Sequence, residues 1–159
     1  MQKEDGFLLR ISKNASVTVS IILTALFCAV LLAAAFVLPD FVRLIASAAL
    51  RPLGLRDGIV ILFSGYLILF FALLAAFALI RLLFLVRVGS VFTARAVSYI
   101  RSVSWCAFVI ALIFLGMTWY YLVALVLAFT AALLGLCLRV VKNVIEEATV
   151  IKSENDLTV

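Results

Sequence analysis

The chain has 159 residues, of which 68% are hydrophobic and only 13% are charged, and its formal net charge is +5. Soluble domains contain about 45–50% apolar and about 25% charged residues, so these proportions exclude an ordinary soluble domain. The sequence contains no histidine, which removes the imidazole base and the imidazole metal ligand. We therefore expect one membrane-embedded domain without a catalytic site, a metal site or a cofactor.

The first two predicted membrane spans are uncharged apolar runs. Residues 17–38 form the first run, which Pro39 and Asp40 follow. At 1.5 Å per residue this run is about 33 Å long, enough to cross roughly 30 Å of hydrocarbon. Residues 59–80 form the second run, and Arg81 follows it.

The third and fourth predicted spans are fused into one apolar stretch, residues 102–138, which is too long for a single crossing. Aromatic rings with a polar edge prefer the headgroup level, so Trp119, Tyr120 and Tyr121 mark a turn. The spans become residues 102–117 and 119–138. The sequence thus predicts an all-α, polytopic integral membrane protein, a bundle of four transmembrane helices.

Positive charges predict the orientation, because Lys and Arg near the span ends are retained in the cytoplasm. Of the thirteen Lys and Arg residues, only Arg43, Arg51 and Arg56 lie on the side opposite the two termini. We expect both termini in the cytoplasm and the protein in the bacterial cytoplasmic (inner) membrane. A cleaved signal peptide is the alternative for the N-terminus, but the first run exceeds the about 7–15 residues of such a segment.

The connections between the spans are also predicted to contain helix. In the external connection, residues 39–58, apolar residues repeat at helical spacing, which indicates a short helix that lies in the interface or caps the bundle. In the cytoplasmic connection, residues 81–101, the second helix continues to a break at Gly89 and the third begins at the N-cap Thr93. Residues 139–159 continue the fourth helix, so about 20 Å of it projects into the cytoplasm.

Every span carries small residues four positions apart, which predicts close helix contacts within the chain or in a homo-oligomer. The residues are Ala25, Ala29 and Ala33; Ala72 and Ala76; Ala107 and Ala111; and Ala124, Ala128 and Ala132. No charged residue lies inside a span, which disfavours an ion-coupled carrier. Ser64, Tyr66, Thr118, Thr130 and the three cysteines are expected to form hydrogen bonds with helix carbonyls or partner helices. The alternative is that they line a polar cavity.

The two cytoplasmic segments differ in charge. Segment 81–101 carries four arginines and no acid, whereas segment 139–159 is rich in acids. Our hypothesis is that Glu146 and Glu147 pair with arginines among Arg87, Arg95 and Arg101. In the alternative, the arginines bind anionic lipid headgroups and the glutamates are solvated.

Short motifs near the C-terminal end, and one before the third predicted span, carry a family resemblance. They are Lys142-Asn143-Val144-Ile145-Glu146-Glu147-Ala148 and Ser153-Glu154-Asn155-Asp156-Leu157-Thr158-Val159, together with Val91-Phe92-Thr93. They resemble a bacterial family of small four-span membrane proteins, the domain of unknown function 2975. The resemblance covers nearly the whole chain and implies no catalytic residue. It implies a context, because members are often encoded beside a small helix-turn-helix regulator.

The predicted function is a non-enzymatic regulatory or sensory membrane protein that binds a cytosolic helix-turn-helix transcription regulator through segment 81–101 and the C-terminal tail. Two modes of binding are open to the tail: it adds as a short strand to the partner, or backbone amides of the partner capture its terminal carboxylate. In the alternative, the tail is a frayed terminus without a binding role. Direct nucleic-acid binding is not expected, since no DNA-binding motif is present. The alternative is a small carrier or immunity protein for an apolar or peptide-like compound. The candidate partner-binding residues are Arg87, Arg95, Arg101, Glu146, Glu147, Asn155, Asp156, Leu157, Thr158 and Val159.

Overall fold

The computed structural model describes the backbone of residues 2–48, 54–89 and 92–157, and the side chains of residues 15–44, 54–89 and 92–154. These ranges contain four α-helices and no strand: α1 (Gln2–Ala48), α2 (Leu55–Arg87), α3 (Ala94–Met117) and α4 (Val123–Leu157). Each helix contains a segment that is long and apolar enough to cross a membrane. The predicted all-α fold is confirmed, and the chain is a multi-pass membrane protein.

α1 differs from the prediction at its C-terminal end. The helix continues through Pro39 to Ala48, so the separate short helix predicted in the external connection is wrong. Proline has no N–H group, which leaves the carbonyl four residues earlier without its helical donor. The Tyr66 hydroxyl of α2 donates a 3.2 Å hydrogen bond to that carbonyl, the oxygen of Ala35. In the membrane this bond satisfies the polar group that the proline leaves unpaired.

The predicted break after α2, the predicted N-cap of α3 and the predicted end of α3 at Met117 agree with the structure. The predicted start of the fourth helix at Trp119 is wrong, because residues 119–122 belong to the turn and α4 begins at Val123. α2 continues past Arg81 and ends at Arg87, and Gly89 follows with a φ of 79°, a conformation that glycine adopts without strain. Thr93 is the N-cap of α3 and accepts a 3.4 Å hydrogen bond from the Ala96 N–H. Residues 118–122 form the turn between α3 and α4. We call this side of the molecule the turn end, and the side with residues 88–93 the arginine-rich end.

The four helices pack in the order of the chain. α1 contacts α2, α2 contacts α3, and α3 contacts α4, and within the described ranges no other pair of helices comes into contact. At the turn end one residue from each helix joins a buried cluster: Val42, Ile61, Met117 and Ala124. The bundle is therefore open, and α2 and α3 are its inner helices.

Two glycines allow close helix approach. Leu38 of α1 lies on Gly65, where an added Cβ would be 3.0 Å from the leucine Cδ2 atom. The Phe108 ring of α3 lies on Gly135 of α4, where an added Cβ would be 3.3 Å from the ring. The Ser104 hydroxyl of α3 donates a buried 2.8 Å hydrogen bond to the Gly135 carbonyl. These contacts hold the α1–α2 and α3–α4 seams together.

The predicted alanine stripes have different outcomes. Ala76, Ala111, Ala124 and Ala128 are buried between helices, so the stripes in α2, α3 and α4 lie at contacts within the chain. The stripe of α1 is exposed at Ala25, Ala29 and Ala33. This stripe is therefore not buried within the chain, and its use as a contact in a homo-oligomer stays a prediction.

Candidate functional site

The arginine-rich end contains more helix than a bilayer covers. α4 has 35 residues, or about 52 Å of helix, against roughly 30 Å of hydrocarbon. If the aromatic turn, residues 118–122, lies at the headgroup level as predicted, about 20 Å of α4 projects beyond the membrane at this end. The first turns of α3 lie beside the projection, and their apolar residues Ala96, Val97 and Ile100 are buried. α3 and α4 thus continue to pack together along the predicted projection.

An ion-pair cluster joins the two projecting segments. The Arg101 Nη2 atom lies 3.5 Å from the Glu146 Oε1 atom, and the Lys142 ammonium, one turn earlier on α4, pairs with Oε2 of the same carboxylate. The hydrogen bond from Lys142, with the positive charges of Lys142 and Arg101, lowers the pKa of Glu146. The predicted pairing of Glu146 with an arginine is confirmed for Arg101.

The other charged candidates are not part of this cluster. Glu147, Arg87 and Arg95 are exposed, and among the described side chains none of them forms an ion pair. The predicted pairing of Glu147 with an arginine is wrong. One helical residue turns a side chain by about 100°, so Glu147 leaves the α3 side of the helix that Glu146 occupies.

Glu147 instead lies on what we call the outer α4 face, formed by Val140, Val144, Glu147 and Ile151. Their spacing of four, three and four residues places them on one side of the helix. The three apolar members are exposed by 63%, 62% and 54%. This face combines apolar side chains with one carboxylate in a segment that lies beyond the hydrocarbon.

Two adjoining cavities open at the same end. The loop cavity, of about 560 Å³, lies between the end of α2 and the start of α3, and it is lined by Phe84, Leu85, Val88, Thr93, Ala94 and Arg95. A second cavity, of about 370 Å³, lies between α3 and α4 and contains the Arg101–Glu146 pair. Both cavities offer apolar walls and at least one arginine to a bound molecule.

Some of the candidate partner-binding residues at the C-terminal end lie outside the residues that the structure describes. α4 extends to Leu157, so the backbone at Asn155, Asp156 and Leu157 is helical, whereas addition to a partner as a strand requires an extended backbone. The side chains of these three residues lie outside the described residues, as do Thr158 and Val159 entirely. Their proposed role in partner binding stays a prediction.

Three of the predicted hydroxyl groups, those of Tyr66, Thr118 and Thr130, have backbone partners as we expected. Tyr66 donates to the Ala35 carbonyl of the neighbouring helix. Thr118 and Thr130 donate to the carbonyls four residues earlier in their own helices, at 3.2 and 2.8 Å. These groups thus satisfy backbone oxygens.

Two features of this end were not predicted from the sequence. Lys142 is the nearest partner of Glu146, and its position four residues earlier is a spacing that predicts such pairs on a helix. Arg139 of α4 lies over two aromatic rings of α3, Trp105 and Phe108. No sequence signal places these rings beside it, because they are about thirty residues away along the chain.

Comparison with known proteins identifies a family. A family model described as "Protein of unknown function (DUF2975)" matches residues 33–159, which include α2, α3, α4 and the surface just described. No match was found among curated proteins or among solved structures.

Proposed function

The chain belongs to the DUF2975 family, and we propose that, as a member of this family, it is a non-enzymatic regulatory membrane protein whose arginine-rich end binds a cytosolic protein. The outer α4 face carries this proposal. Exposed valine and isoleucine side chains are favourable inside a bilayer but unfavourable in water. Beyond the hydrocarbon, a protein partner removes them from solvent.

The proposal places the arginine-rich end in the cytoplasm and the protein in the bacterial inner membrane. Its support is the positive-inside rule, since Arg87, Arg95 and Arg101 all lie at this end and near helix ends. A cytosolic enzymatic reporter fused after Val159 should be active, and a periplasmic reporter at the same position should be inactive. Activity of the periplasmic reporter alone would reject this orientation.

We propose a helix-turn-helix transcription regulator as the partner. The support is the gene context that the family resemblance implies, together with the form of the surface. An amphipathic helix binds an apolar groove through residues spaced three and four apart. The outer α4 face has this spacing and suits a groove on the partner, and the loop cavity is an apolar recess that suits a helix of the partner. Arg95 beside the cavity and Glu147 on the face supply charges of both signs for orienting the partner.

Val144→Glu should remove partner binding without unfolding the chain. Val144 is 62% exposed, so the glutamate is solvated in the free protein but places an unpaired charge in the interface of the complex. A buried unpaired charge costs several kcal/mol, and we expect recovery of the regulator to fall at least about tenfold. The measurement is immunoprecipitation of the tagged chain from bacterial membranes, with the regulator identified by mass spectrometry.

Lys152→Gln is the matched control. It makes the same change in net charge, on the same exposed helix, one residue beyond the outer face. Recovery of the regulator should stay at the wild-type level with this variant. Undiminished recovery of the regulator with Val144→Glu would overturn the assignment of the outer α4 face. Equal losses of the regulator with both variants would show that the change in net charge alone explains the effect, which would also overturn the assignment.

A further inference from the structure

Arg139 lies at the point where α4 leaves the predicted hydrocarbon region, and its guanidinium group contacts two rings of α3. The guanidinium carbon is 5.5 Å from the centre of the Trp105 ring and 5.8 Å from that of Phe108. Helical side chains lean toward the N-terminus of their helix, and for α4 that direction is toward the membrane interior. The positive charge is thus held at the edge of the apolar region.

No acidic side chain neutralises this charge within the described residues. The carboxylate nearest along the projecting helix, Glu146, is taken by Lys142 and Arg101. A guanidinium group has five N–H donors in one plane, and stacking on rings leaves the edge of that plane open. Such an edge binds the oxygens of a phosphate in a bidentate manner.

An apolar groove begins at the same aromatic ring. It has a volume of about 240 Å³ and lies along the α3–α4 seam, with Phe108 at one end. The buried residues Ala111 and Ala128 form its floor, and the exposed side chains of Leu112, Leu115 and Phe129 form its walls. The small alanine side chains leave the groove open to the surrounding lipid.

The charge and the groove lie on the same face of the helix pair. On α4, the spacing is four, three and four residues between Ala128, Ala132, Gly135 and Arg139. On α3, Trp105, Phe108, Leu112 and Leu115 are spaced by three, four and three. Residues with this spacing lie above one another on a helix, so the groove leads directly to the guanidinium group.

We propose that the α3–α4 seam binds one anionic phospholipid, with its phosphate at Arg139 and an acyl chain in the groove. Charge complementarity selects the headgroup, and the apolar alanine-floored groove selects a hydrocarbon chain. A diacyl lipid supplies both in one molecule and reaches the site from within its own leaflet. This binding does not depend on the proposed regulatory function.

The test is retention of lipid after extraction. The chain is reconstituted in phosphatidylcholine vesicles with a minor fraction of phosphatidylglycerol, extracted into mild detergent, and analysed by native mass spectrometry. Wild type should retain phosphatidylglycerol in preference to phosphatidylcholine. Arg139→Gln should lower that preference about fivefold, the ratio expected when one arginine near the surface no longer attracts the lipid.

Two further variants separate the parts of the site. Arg81→Gln is the matched control, because Arg81 also lies over a ring, Phe77 at 5.1 Å, but does not line the groove; it should retain the lipid. Ala132→Leu fills the groove without changing charge and should lose the lipid.

Retention by Arg139→Gln would overturn the proposal, and retention by Ala132→Leu would overturn the acyl-chain part of it. Displacement of the lipid by soluble glycerol phosphate would also overturn the acyl-chain part.

A second measurement leaves the site intact, in case a variant fails to fold. The sequence contains two tryptophans, so Trp119→Phe leaves Trp105 as the only one. Phosphatidylglycerol with brominated acyl chains should quench Trp105 fluorescence more strongly than brominated phosphatidylcholine at the same mole fraction. Equal quenching by the two lipids would overturn the headgroup assignment.

Discussion

Gly135→Leu should separate α3 from α4 and lower the free energy of unfolding by about 1–3 kcal/mol, the usual cost of overpacking. The reason is the Phe108 ring, which would already lie 3.3 Å from a Cβ atom at this position. A leucine extends further along the same direction, so the ring or the helix has to move. Movement of α4 also stretches the Ser104 hydrogen bond to the Gly135 carbonyl.

Unfolding by a denaturing detergent, followed by the loss of helical circular dichroism, measures this effect. Gly116→Leu is the control, since it makes the same change in a helix of the same protein at a position where nothing lies within 4 Å of the added Cβ. It should leave the free energy of unfolding within about 0.5 kcal/mol of wild type. Equal losses at both positions would show that the glycine contact does not hold the seam.

Tyr66→Phe should lower the free energy of unfolding by about 1 kcal/mol, and this loss should disappear when Pro39 is replaced by alanine. In the native sequence the hydroxyl supplies the hydrogen bond that the proline cannot donate to the Ala35 carbonyl. Alanine at position 39 restores the helical N–H donor, so the carbonyl no longer needs Tyr66.

A double-mutant cycle of these two substitutions measures their coupling. The four proteins are compared by the same detergent unfolding, and we expect a coupling free energy of about 1 kcal/mol. Phe63→Leu is a control on α2, because its side chain is 68% exposed and should show no coupling to Pro39. If Tyr66→Phe costs as much beside alanine as beside proline, the hydroxyl does not compensate for the proline.

Local patterns account for most of the fold. The apolar runs, the break at Gly89, the N-cap at Thr93 and the aromatic turn after Met117 all depend on neighbouring residues, and the structure agrees with each of them. The continuation of α1 through Pro39 was not predictable in the same way. It depends on Tyr66, a residue far along the chain, whose hydroxyl reaches the unpaired carbonyl.

The candidate surface was less predictable than the fold, for a related reason. The distribution of charge in the sequence predicted that segments 81–101 and 139–159 lie at the same end of the molecule, and Arg101 does pair with Glu146. Which of two adjacent glutamates faces α3 depends on how α4 is rotated about its axis. That rotation depends on contacts between α3 and α4, such as those of Phe108 and Ser104 with Gly135, and a single sequence contains no direct record of such contacts.

Because each helix contacts only its neighbours in the chain within the part that the structure describes, assembly can follow the order of synthesis. α2 can contact α1 as soon as it enters the bilayer. The α1–α2 seam can therefore form completely before α4 is inserted. Few contacts then have to form between distant parts of the chain, which shortens the search for the native arrangement. Separately expressed halves, cut between α2 and α3, would each carry one finished seam and would need only the central one to rejoin.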